Sequence, residues 1–137
     1  MKVRIGVGLL GWPFPKRDPG YLWDFVDLAE ELGLDSIWLA DRIVGPTVFL
    51  ESMTIMAAMA ARTRRIKFGN SVLALPLRNP TVLAKEIATV DFISEGRMLP
   101  AVGLGTEDSA EFEACGVQLK ERATRTDEAI ILMRKLW

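Results

Sequence analysis

The chain has 137 residues, half of them hydrophobic and 26% charged, with a formal net charge of -1. That length suits one ordinary domain, and the near-zero charge gives no electrostatic reason for a nucleic-acid or anionic-membrane partner. Histidine is absent and cysteine occurs once, which excludes Ser-His-Asp and Cys-His catalysis, histidine-ligated metal and an intrachain disulfide.

Lys2 to Gly8 reads as a short apolar strand. After a Pro-rich loop, Asp18 and Pro19 form an N-cap and first helical residue. Leu22, Phe25, Val26, Ala29 and Leu32 then mark one helical face that stops at Gly33. Ser36 to Ala40 is predicted as the second strand, ending at Asp41-Arg42. Leu50 to Thr63 is Ala- and Met-rich and reads as a helix buried on one face. The basic run Arg62, Arg64, Arg65 and Lys67 suits a solvated helix end leading into a strand. Ile66 to Leu75 is the third strand.

Asn79 and Pro80 repeat the cap-plus-proline start, and Leu83, Ile87 and Val90 carry that helix towards Gly96. Met98 to Leu104 is the fourth strand. A short helical piece spans Ser109–Ala114. A last helix, about Lys120 to Trp137, turns Ala129, Ile130, Met133 and Trp137 inward. Apolar strands in strict alternation with helices imply an α/β fold with a parallel sheet, in one domain over residues 1–137. One cysteine, no basic-then-apolar opening and no apolar run of membrane-spanning length lead us to expect a cytoplasmic protein.

Several motifs carry two readings. Gly6-Val7-Gly8-Leu9-Leu10-Gly11 matches G-x-G-x-x-G, but that motif needs a helix to begin within the glycines. Trp12-Pro13-Phe14-Pro15 follows instead, which favours a loop over a barrel mouth with Trp12 and Phe14 as pocket walls. Asp41-Arg42 is either a surface ion pair or a pair at the ligand face of a parallel barrel. Asn70-Ser71-Val72 signals tight packing, or a bulge where backbone approaches a ligand. Gly103-Leu104-Gly105-Thr106 leaves backbone amides free to approach a ring or phosphate. Glu107 and Asp108 suit the first turn of a helix, and Cys115 reads as structural.

Together these segments resemble the luciferase-like flavin and deazaflavin oxidoreductases. The resemblance rests on GLDSIWLADR, IKFGNSVLALPLRNPTVLAKEIATVDFISEGR and EFEACGVQLKERATRTDEAIILMRKLW, and it extends over essentially the whole chain. The strings L-P-x-R-N-P, S-x-G-R and R-x-D-E-A-x-x-x-x-R-x-L-W are specific in combination. The resemblance implies a TIM-type barrel with reduced FMN or coenzyme F420 lying across the carboxyl ends of the strands. It implies a non-prolyl cis peptide at Ser71–Val72, counted back from Pro76, and an acid, Asp41, against the deazaflavin. The implied cofactor contacts are Asp41, Ser71, Val72, Gly103, Leu104, Gly105 and Thr106, with Trp12 and Arg42 bordering a small-molecule substrate.

Three positions depart from the family pattern. Arg42 stands where histidine is frequent, and a guanidinium cannot serve as a general base. Thr106 stands where some F420-linked sugar-phosphate dehydrogenases carry a catalytic Glu, with Glu107 one step on. Arg42 and Glu107 are therefore only weak catalytic candidates. Pro100 falls within the fourth strand, where a ladder donor is needed. A full (β/α)8 barrel takes about 250 residues, so we expect the first four β/α units of one: either a missing C-terminal half or a half-barrel that pairs as a homo-oligomer. The expected activity is hydride transfer or flavin monooxygenation by the parent enzyme, this chain alone being inactive. The alternative is a non-catalytic truncated relative that binds flavin or assembles as a half-barrel dimer.

Overall fold

The computed structural model describes residues 3–137. Strands and helices alternate as β1 (Gly6–Leu9), α1 (Pro19–Glu31), β2 (Ser36–Leu39), α2 (Ser52–Arg62), β3 (Lys67–Asn70), β4 (Leu73–Ala74), α3 (Pro80–Ile93), β5 (Met98–Leu99), β6 (Val102–Gly103), α4 (Ser109–Ala114) and α5 (Arg122–Leu136). The strands β1, β2, β3 and β5 form a parallel sheet in that order, and β4 pairs with β6 in a second parallel ladder. The predicted α/β order is borne out.

Local chemistry starts the helices. The Asp18 carboxylate accepts from Gly20 N at 2.9 Å, and the Asn79 side chain accepts from Thr81 N and Val82 N. Each satisfies backbone donors that the first helical turn leaves free, with proline at the next position. In register, Val7, Ile37, Phe68 and Met98 form one cross-strand row. Ile37, Phe68 and Met98 are buried, Val7 packs partly buried against them, and apolar faces of α1, α2, α3 and α5 cover the row. The alternate row, Gly8, Trp38, Gly69 and Leu99, points to the face without helices, as the two-residue period of a strand requires.

Sequence reading misjudged several boundaries. The first strand begins at Gly6; Lys2 lies outside the described residues, and Val3 and Ile5 are exposed. No helix begins within Gly6–Gly11, since α1 starts only at Pro19, so the dinucleotide-binding reading fails. Strands three and four each break in two. Ser71 N still donates to Leu39 O at 2.8 Å, whereas Leu73 N donates to Ala101 O at 2.9 Å. Between them lies a cis Ser71–Val72 peptide bond, where the resemblance implied one. A 3-10 turn over Leu75–Leu77 replaces the predicted end of strand three. Pro100 falls between β5 and β6, so its missing N–H interrupts no ladder.

The S-x-G-R string closes the other end of the sheet. Arg97 donates to Ala60 O, Thr63 O and Ile66 O and to the Thr63 hydroxyl. It thereby caps the carbonyl end of α2, where a cation is favoured. Two residues expected to face inward do not. Leu32 is the exposed C-cap of α1, and Trp137 is 60% exposed, its indole N–H reaching Ala84 O at 3.0 Å.

Candidate functional site

The carboxyl ends of the strands meet at the β4–β6 ladder. Leu73 pairs with Val102 and Ala74 with Gly103, which brings Val72 against Gly103. A Cβ built on Gly103 would lie 2.6 Å from Val72 Cγ2. Glycine is therefore needed here for space. Val72 stays 46% exposed and Ser71 is also exposed, so an apolar side chain and a short polar one are presented beside a bare stretch of backbone. Beyond it, Leu104 is partly exposed. Gly105 takes φ +77, a left-handed conformation natural to glycine. Ser71, Val72, Gly103, Leu104 and Gly105, singled out from the sequence, thus lie along one short rim. Its exposed apolar surface and accessible backbone suit the flat face of a ring cofactor.

Asp41 supports this rim from below. Its carboxylate is 1% exposed. One oxygen accepts from Ser52 Oγ at 2.8 Å and Arg78 Nη2 at 2.6 Å, and the other from Ala74 N at 2.9 Å. Arg78 also reaches Glu51 at 2.9 Å. Burial alone would lower the Arg78 pKa, but Asp41 and Glu51 hold it above its ordinary value. Burial likewise pushes Glu51 up, while its bonds from Thr54 and Arg78 outweigh that and hold it below the usual carboxylate range. The acid at the end of β2 is thus tied to the backbone of β4 and to the L-P-x-R-N-P arginine.

The remaining candidates build the loops around the rim. Arg42 pairs with Asp108, and its Nε donates to Val44 O at 2.9 Å. Buried Glu111 accepts from Ile43 N at 2.6 Å and Val44 N at 3.3 Å, and from Thr106 Oγ1 at 3.4 Å. The loop after β2 and the loop after β6 are therefore fastened to each other. Glu107 is 78% exposed on its side chain and accepts from Arg122 at 2.5 Å, so it lies outside this group. Trp12 lies with α1 and α2, edge-on to Phe14 at 5.1 Å between ring centroids, and none of the rim residues shares its pocket.

Sequence reasoning missed Ser52, Arg78 and Glu111. Glu111 did carry a local signal, standing three residues after the N-cap Asp108 in the D-x-x-E spacing of a capping box. Its carboxylate turns instead to the backbone of the β2 loop. Half-buried Cys115 lies nearby, where burial and the Glu111 charge push its thiol up.

The chain is similar to known enzymes in sequence and in fold. The chain is 40% identical over 129 residues to an F420-dependent glucose-6-phosphate dehydrogenase of Nocardia farcinica, covering 87% of this chain and 38% of that protein. The monooxygenase RslO1 of Streptomyces bottropensis superposes with a TM-score of 0.85 at 27% identity, over 98% of this chain and 43% of that one. An F420-dependent secondary alcohol dehydrogenase, solved with an F420–acetone adduct, gives a TM-score of 0.78 at 25% identity, over 98% and 42%. The chain thus spans about two fifths of the length of these relatives. The luciferase-like monooxygenase family model matches residues 5–137, and the chain belongs to that family.

Proposed function

We propose that residues 1–137 form the first four units of a (β/α)8 barrel and supply one wall of an F420 or FMN site in an oxidoreductase. The observation that carries this is the Val72–Gly103 rim at the strand ends, the face where parallel barrels hold their ligands. The cofactor, when bound, would supply a hydride or, as reduced flavin, the electrons that activate oxygen.

The chain's own residues bind and orient. Val72 offers an apolar surface to the ring, Ser71 a hydroxyl at its edge, and Gly103, Leu104, Gly105 and Thr106 a backbone that approaches closely. Asp41 acts by holding Ala74 N and Arg78 in place. Arg42, fixed by Asp108, borders a small organic substrate and is not a proton acceptor. F420 is favoured over FMN by the 40% identity to an F420-dependent relative. Thr106, in place of an acid, separates the chain from the sugar-phosphate pattern.

The half-covered sheet face around Gly8 and Trp38 is completed by further units of the same polypeptide, or by a second copy. The parent enzyme is cytoplasmic on this reading, which the single cysteine supports; among the described residues no helix is long and apolar enough to cross a membrane.

Titrating the chain with F420 and with FMN, alongside a measurement of its mass in solution, tests the proposal. Weak binding of F420 that Gly103→Leu abolishes is expected. Binding of neither cofactor, by the chain or by a form extended with four further units, would overturn it.

A further inference from the structure

A second cavity lies away from the rim. It has a volume of about 320 Å³ and is walled by Trp12, Leu22, Trp23, Val48 and Ile55, with Arg17 at its edge. None of Asp41, Ser71, Val72 or Gly103–Thr106 lines it, and its walls come from the loops after β1 and β2 and from the first turns of α1 and α2.

Trp12 is anchored by hydrogen bonds and Trp23 by a cation contact. Trp12 N donates to Val48 O at 2.9 Å and its Nε1 to Lys16 O at 2.8 Å, while Phe14 braces it and itself stacks on Tyr21 at 5.8 Å. Trp23 lies under the Arg62 guanidinium at 5.2 Å, and Asp27 fixes that guanidinium through two hydrogen bonds. The pocket therefore exists before any ligand arrives, which removes the ordering cost of forming it. Its volume lies within the range of small-molecule sites, roughly 300–1,000 Å³. The edge carries one cation: among the described residues Arg17 makes no ion pair.

We propose that this cavity binds a small amphipathic carboxylate, with its hydrocarbon body between Trp12 and Trp23 and its anionic head at Arg17. Apolar walls supply the affinity by burial and the Arg17 guanidinium selects the charge. The site is distinct from the cofactor rim and does not depend on it.

Octanoate and 1-octanol, titrated separately into the 137-residue chain by calorimetry, test this. Octanoate is expected to saturate one site about fivefold more tightly than octanol, the worth of a solvent-facing ion pair. Arg17→Ala should reduce octanoate to the octanol affinity. Val48→Trp, at an exposed loop position whose backbone bond to Trp12 is kept, should fill the cavity and remove both. No saturable binding, equal affinity for the two probes, or octanoate binding that survives Val48→Trp would each overturn the proposal.

Discussion

Val72 Cγ2 occupies the space that any side chain at residue 103 would need, 2.6 Å from the Cβ position of Gly103. Gly103→Ala must therefore displace Val72 or the β6 backbone, at about 1–3 kcal/mol. Removing the offending methyl with Val72→Ala should restore most of that loss. The two substitutions are thus expected to be strongly non-additive in denaturant unfolding of the four proteins. Simple additivity would show that the two residues do not press on each other.

Asp41→Ala strands Arg78 beside Glu51 alone, frees Ala74 N and removes the partner of Ser52 Oγ. Breaking a buried ion pair from one side costs about 3–5 kcal/mol, so the urea midpoint should fall steeply. Asp41→Asn keeps the shape but loses the charge, and should fall between the two.

Glu30 offers a pH test. Burial pushes its carboxyl up, but the backbone N–H groups of Arg64, Ile66 and Arg65 donate to it and, with the Arg65 charge, hold it below the usual range. A carboxylate depressed in the folded state contributes stability above its unfolded pKa of about 4.3. That contribution disappears as pH falls through the folded value. Thermal melts from pH 7 down to about pH 3 should show an acid limb that is shallower in Glu30→Gln. An unchanged limb would assign acid sensitivity to other groups.

Cys115 should be a poor nucleophile. Burial and the Glu111 charge both disfavour its thiolate, and the Arg78 charge only partly offsets them. Iodoacetamide at neutral pH is expected to alkylate it more slowly than a free cysteine, with Glu111→Gln speeding the reaction.

The parts of this structure legible in sequence are those decided within a few residues. Asp18-Pro19 and Asn79-Pro80 marked helix starts because a cap and its N–H partners are near neighbours in the chain. Asp41 could be flagged as an acid at a strand end, but its partners Ser52, Ala74 and Arg78 lie 11, 33 and 37 residues away. The breaks after Asn70 and at Pro100 did leave local marks, small polar residues in one strand and a proline in the other, but only their pairing across the sheet shows that both interrupt at one level. Trp137 misled because helical periodicity gives its face but not its depth at the last turn.

The paired breaks also let the rim keep a register of its own. β4 and β6 bond to each other and sit outside the four-stranded ladder below. Deleting one residue between Asn70 and Leu73 would exchange the faces of Leu73 and Ala74 while leaving β1 to β3 in register. Residues 71–78 and 100–106 therefore have to be grafted together onto another parallel sheet, since either segment moved singly would arrive without the neighbour that shapes it.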